Sequence, residues 1–173
     1  MRKTALGFLA ALLIVFGVVL EMTLQEDTPT PALADGETAK VERVVDGDTL
    51  IVHSGGDRLR LRLLNIDAPE LARDGQPEEC MGSAAAQRLE ELAPVGSTVT
   101  LVYDKERQDQ YGRDLAAVFD GDVFINEVLV EEGLARAVVY QSNDTYYSRM
   151  QSAEAAARQA QLGMFSPECH AGR

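Results

Sequence analysis

Residues 41–52 read VERVVDGDTLIV. Val and Ile dominate both flanks, and β-branched residues of this kind suit a half-buried pleated surface. Asp46-Gly47-Asp48 interrupts them. An Asp-Gly step between two apolar runs is a strong hairpin signal, so the stretch predicts two antiparallel strands joined by a tight turn. A turn needs only one of the two carboxylates. The second leaves room for a metal, because hard cations take oxygen ligands from Asp and Glu. On this stretch alone the turn is the simpler reading.

The pattern continues outward. Ser54–Asp57 (SGGD) is a second turn. In DRLRLRLLNID, residues 57–67, Leu59, Leu61 and Leu63 alternate with Arg58, Arg60 and Arg62. A period of two places the leucines on a core face and the arginines on the other. The result is a three-stranded meander, ended at Ala68-Pro69-Glu70. Residues 82–92 (GSAAAQRLEEL) predict a helix with Ala86, Leu89 and Leu92 on one face, stopped by Pro94 and Gly96. Residues 97–104 (STVTLVYD) and 115–119 (LAAVF) predict two more strands, and Asp120-Gly121-Asp122 a tight turn. Residues 125–135 predict a second helix ended by Gly133, followed by a short extended piece over 135–140. Asp144 is placed to cap a third helix over 145–162, stopped at Gly163. The fold class is therefore α+β. Five short strands with Greek-key spacing and about three helices suit an OB-fold barrel.

Ahead of this body lies a targeting segment. MRKT supplies positive charge, Ala5–Leu20 carry none, and Glu21 ends the run. That pattern predicts a signal peptide or a retained N-terminal membrane anchor over 1–24, with Ala32-Leu33-Ala34 as a small-x-small cleavage pattern before Asp35. Residues 25–38, rich in Thr-Pro, form a linker, and 39–170 form the globular domain. Either outcome puts the body outside the cytoplasm, secreted or held at the outer face of the membrane. The chain has two cysteines, Cys80 and Cys169. An even number in an oxidising compartment predicts one bridge between them.

The formal net charge is −12 over 173 residues. Proteins that merely coat nucleic acid are usually basic, so this charge argues against a passive coat. An enzyme whose contacts are local and bridged by a cation is not excluded. Candidate chemistry concentrates in two places. Asp46, Asp48, Asp67 and Glu70 belong to the start of the second strand and the end of the third. Those ends share a rim in a meander, so Asp48, Asp67 and Glu70 are expected to converge. Two or three carboxylates with a backbone carbonyl make a site for Ca²⁺. His53 and His170 are isolated, which argues against zinc. Arg62 and Arg113 supply guanidinium forks, and a fork with a divalent cation is what stabilises a phosphoryl transition state.

Five stretches in series, VERVVDGDTLIV, LRLLNIDAPE, DQYGRDLAAVF, INEVLVEEGLA and AEAAARQAQLGMF, resemble the staphylococcal nuclease family over residues 40–166. The resemblance implies an OB-fold, Ca²⁺-dependent phosphodiesterase that cuts DNA and RNA with little sequence preference and leaves 3′-phosphate ends. It implies Asp48 and Asp67 as carboxylate ligands, with the Ala68 backbone carbonyl beside them. It implies Glu70 as the residue that orders or deprotonates the attacking water, and Arg62 and Arg113 as phosphate binders. Asp46 would support the site from behind, and Tyr111 would lie near the phosphate. ECMG and SPEC, carrying Cys80 and Cys169, resemble the disulfide-bearing exported branch. Ala68 departs from the family's Thr, which keeps a carbonyl and loses a hydroxyl. Tyr140 is the only aromatic of the run RAVVYQ, which places base stacking in doubt. The loop 71–79 is acidic where the type enzyme is Lys-rich. A catalytically inactive relative that binds nucleic acid or peptide is the alternative, and a calcium-binding surface protein the third. The first has no need to keep Asp48, Arg62, Asp67, Glu70 and Arg113 together, and the second leaves the arginines unexplained. Nothing in the sequence points to an oligomer, and a monomer is expected.

Overall fold

The computed structural model describes residues 36–73 and 75–170. The expected targeting segment and nearly all of the linker lie outside the described residues. Three strands open the fold: β1 (Glu37–Asp46), β2 (Thr49–Ser54) and β3 (Asp57–Leu63). They pair antiparallel in sequence order, with Asp46 opposite Thr49 across the first turn and Ser54 opposite Asp57 across the second. β1 starts three residues before Lys40, inside the stretch read as linker, because Glu37–Lys40 find partners in a later strand.

That strand is β5 (Thr98–Gln108), which follows the two-residue β4 (Ile66–Asp67) and helix α1 (Gly82–Leu92). β6 (Asp114–Asp120) pairs antiparallel with β5 and parallel with β3, Arg62 lying beside Leu115. β1, β2, β3, β6 and β5 thus close into a five-stranded barrel, and β7 (Val123–Phe124) extends β6. Two register shifts in β1, between Val41 and Arg43 and between Val44 and Asp46, mark irregularities of the kind that bend a strand between two neighbours. The barrel and its helices bear out the α+β, OB-fold reading.

The barrel interior is filled by Leu50, Val52, Leu61, Leu63, Leu101 and Val118. α1 covers one end with Ala85 and Leu89. The face is therefore centred on Ala85, and Ala86 and Leu92, expected at its middle, are half-buried at its margin. Helix α2 (Ile125–Glu131) adds Ile125, Leu129 and Val130, and α3 (Tyr147–Gln159) adds Met150 and Ala153. Between them runs β8 (Arg136–Ala137), antiparallel to β4. A 3₁₀ turn (Gly163–Phe165) and a single turn, α4 (Pro167–His170), complete the described chain.

α3 begins two residues later than expected. The Asp144 side chain does not cap it; that carboxylate pairs with Lys105, and Thr145 is instead held by Asp104. Buried asparagines stitch these turns. Asn126 accepts from Val118 N–H and donates to Leu64 O at 2.9 and 2.8 Å. Asn65, at φ 60°, donates to the carbonyls of Val138 and Asn143. Each pairing satisfies backbone groups that would be costly to bury alone. Together they fix the β3–β4 turn against the segment after β8, and so fix where Asp67 points.

Candidate functional site

The Asp46-Gly47-Asp48 turn is both things its sequence allowed. It joins β1 to β2, and it delivers a buried carboxylate to the barrel rim. A Cβ on Gly47 would lie 2.6 Å from the Ala85 Cβ and 2.7 Å from the Ala68 Cβ, so only glycine lets α1 and the end of β4 press on the turn. Asp48 N–H donates to Asp46 Oδ1 at 3.3 Å, an Asx-type contact that orders the turn. The Asp48 carboxylate accepts from the Thr49 hydroxyl at 3.1 Å and from Ala68 N–H at 2.8 Å. Burial pushes its pKa up to about 7; Arg62 pulls against that shift and Asp46 adds to it.

Arg62 answers that charge. It shares the arginine face of β3 yet is 5% exposed, because β6 and Tyr140 cover it, whereas Arg58 and Arg60 remain solvated as expected. Nη1 forms an ion pair with Asp48 Oδ2. Nη2 donates to Asp67 Oδ1 at 2.9 Å and to the Tyr140 hydroxyl at 2.8 Å. The Tyr140 hydroxyl in turn donates to Asp67 Oδ1 at 3.1 Å, and Arg62 lies 5.2 Å from the ring centroid. Burial works against the guanidinium charge, but Asp48, Tyr140 and Asp67 outweigh it and hold the pKa above its ordinary value. A second arginine, Arg136, stands opposite Asp67 in the β4–β8 pair and grips Asp67 Oδ2 with Nε at 2.9 Å and Nη2 at 2.6 Å. The rim is thus a chain of alternating charge, Asp48–Arg62–Asp67–Arg136, with Tyr140 over its middle.

The structure brings together Asp46, Asp48, Arg62, Asp67 and Ala68. Glu70 sits beyond them, exposed, in the lining of a cleft of about 510 Å³ that also takes in Leu71, Arg73, Gln76 and Pro77. Its backbone is braced: Glu79 N–H donates to Glu70 O at 2.9 Å, and Glu70 N–H donates to the Glu79 carboxylate at 3.2 Å. Gly82 fits under this brace, since a Cβ there would meet Glu70 O at 2.6 Å. Arg113 lies in the loop ahead of β6, held by Asp109 Oδ2 at 2.6 Å, with the Tyr111 ring 5.5 Å away and 74% exposed. Among the described residues no three acidic, His or Cys side chains form a ready-made metal cage. Nothing in the sequence pattern marks Arg136, and the sequence offers Tyr140 only as a candidate for base stacking. The two-residue strand that places Arg136 carries no periodicity, and its partner Asp67 is 69 positions away.

Cys80 and Cys169 are bonded, with their Cα atoms 5.6 Å apart. The bridge joins the residue after Glu79 to α4. A small cleft of about 90 Å³ beside it is lined by Pro69, Glu79, Arg136 and Met164, so the bond lies against the rim.

Comparison with known proteins decides what this site belongs to. The model of the family described as staphylococcal nuclease homologue matches residues 60–167. The chain belongs to the staphylococcal nuclease family. A thermonuclease of Staphylococcus intermedius is 39% identical over 130 residues, covering 75% of this chain and 77% of that protein. A thermonuclease of Staphylococcus hyicus is 34% identical over 173 residues, covering 96% of this chain and 99% of its own. The endonuclease YncB of Bacillus subtilis (strain 168) is 35% identical over 128 residues, 73% of this chain and 60% of that protein. With the family comes its class of chemistry: this is a nuclease, a phosphodiester hydrolase. In family terms the DGDT turn and the NIDAPE segment meet at one rim through Arg62.

Proposed function

We propose that the protein is an exported, calcium-dependent nuclease that hydrolyses DNA and RNA with little sequence preference, leaving 3′-phosphate and 5′-hydroxyl ends. The observation that carries this reading is the Asp48–Arg62–Asp67 chain, with Asp48 and Arg62 buried and Asp67 half-buried, which holds two carboxylates and a guanidinium at one rim. Family membership and the disulfide support it.

The donor set fits calcium. Asp48 and Asp67 offer carboxylate oxygens, with the Ala68 carbonyl as their backbone companion. Asp48 and Asp46 are both buried at the turn, a crowding of negative charge that a divalent cation relieves. When bound, the ion supplies positive charge to the scissile phosphate. The remaining steps fall to side chains. Glu70, exposed in the cleft lining, accepts a proton from the attacking water. The water oxygen bonds to phosphorus and the bond from phosphorus to the 5′ oxygen breaks; that oxygen takes a proton from solvent water and leaves as a hydroxyl, and Glu70 returns its proton to solvent. Arg62 donates from Nη to an equatorial oxygen, and Arg113 exchanges Asp109 for a second oxygen as charge accumulates. Asp46 keeps the turn in shape through the Asp48 N–H, and Tyr111 borders the phosphate beside Arg113. The enzyme works as a monomer.

The test is cleavage of single-stranded DNA by the protein in Ca²⁺ and in excess EGTA, across a range of salt. Cleavage only with Ca²⁺, with 3′-phosphate ends, is the expected result. A folded protein that cuts at no salt concentration would make the rim a vestige and the chain an inactive nucleic-acid-binding relative.

A further inference from the structure

We infer that Arg136 is an intramolecular competitor for the cation at Asp67, a latch that must open for the metal to bind fully. This rests on the reading of Asp48 and Asp67 as calcium ligands. Arg136 contacts Asp67 alone among the rim carboxylates, and does so through two N–H donors on the same oxygen, Oδ2. Arg62 and Tyr140 take the other oxygen, Oδ1. Both oxygens are therefore committed to side chains, and a divalent ion gains Asp67 only by displacing a donor.

The two arginines are not equivalent as donors to be displaced. Arg62 is buried and is also tied to Asp48, so moving it would strand the buried Asp48 carboxylate. Arg136 has 54% of its side chain exposed, and its guanidinium can swing into water at little cost. Its backbone is meanwhile fixed by the β4–β8 pairing, so the head alone moves while the position opposite Asp67 is kept. Glu79, which braces Glu70, lines the same small cleft as Arg136. An opened latch therefore has an acidic neighbour beside the loop that carries Glu70.

The test measures calcium binding to the catalytically idle protein by titration calorimetry, without nucleic acid, for the wild type, Arg136→Gln and Arg60→Gln. Arg60 is exposed on β3 and removes the same charge without touching Asp67. Arg136→Gln is expected to bind Ca²⁺ about two- to fivefold more tightly than the wild type, the range set by an exposed ion pair. Arg60→Gln is expected to change affinity much less. Equal affinity for wild type and Arg136→Gln, weaker binding in Arg136→Gln, or an equal gain in both variants would overturn the latch and leave the calcium site standing. Absence of Ca²⁺ binding in all three proteins, each folded by circular dichroism, would overturn the calcium site and the latch with it.

Discussion

At the scale of single residues, the rim divides groups that hold the fold from groups free to react. Arg62 belongs to the first kind. Removing one partner of a buried pair leaves the other's charge uncompensated, at a cost of about 3–5 kcal/mol. Arg62→Ala is expected to lose stability in that range, read from urea unfolding, because Asp48 stays buried without its guanidinium. A loss below about 1 kcal/mol would place Arg62 among the ordinary surface pairs. Glu70 belongs to the second kind. Its side chain is exposed and its backbone is braced, so Glu70→Gln is expected to melt within a degree or two of the wild type while cleavage slows by about 10²–10⁴-fold. Unchanged turnover in that variant removes Glu70 from the proton transfer. The sequence marks Arg62 as a phosphate binder but does not show that it is buried. It alternates with Arg58 and Arg60 as if on one solvated face, and only the closing strand β6 and the distant Tyr140 cover it.

At the scale of elements, long regular segments were legible and short paired ones were not. The β1–β2–β3 meander followed from two turns and a period of two, and α1 and α2 followed from apolar spacing and their stop signals. The parallel β3–β6 contact and the β4–β8 pair did not, because neither is encoded locally. β4 and β8 are two residues each, held by partners far along the chain and by Asn65 beneath them. Their energy comes from tertiary context, which is where propensity loses its authority. The convergence of Asp48 and Asp67 was readable from the meander; the arginine that grips Asp67 from the other side was not. The Cys80–Cys169 bond acts at this scale too. It spans a sequence separation of 89 and anchors α4 to the segment leading into α1. Its replacement by paired alanines is expected to cost about 2–4 kcal/mol by denaturant unfolding, chiefly by freeing the unfolded chain. No change in midpoint would mean that α4 is held by packing alone.

At the scale of the whole molecule, charge and closure set the working conditions. A net charge of −12 repels a polyanion at a distance, so attraction is confined to the rim, where Arg62, Arg73 and Arg136 stand against Asp46, Asp48 and Asp67. Surface pairs elsewhere tune the response to acid. The Arg58 fork holds the Glu42 carboxyl at about 2, with a further contribution from His53, against an ordinary value of 4.5. A depressed carboxylate stabilises the fold fully above its unfolded value, and that contribution fades as pH falls through about 2. The stability difference between the wild type and Glu42→Gln is therefore expected above pH 4.5 and should close as pH approaches 2, measured by thermal melts across that window. A difference that widens on acidification would reverse the sign of the effect.

The single bridge also changes what a protease can do to the molecule. From Cys80 to Cys169 the backbone and the sulfur bond make a covalent ring that contains α1, β5, β6, α2, β8 and α3. One cut in the ring opens it without releasing a piece. The severed strands stay tethered beside their barrel partners at high effective concentration, and they can re-pair. β1, β2 and β3, with the Asp46–Asp48 turn, lie on the tail outside the ring and have no such insurance. Nicks in the surface loops of the ring are survivable; a nick between Gly47 and Glu79 divides the rim from its own backbone.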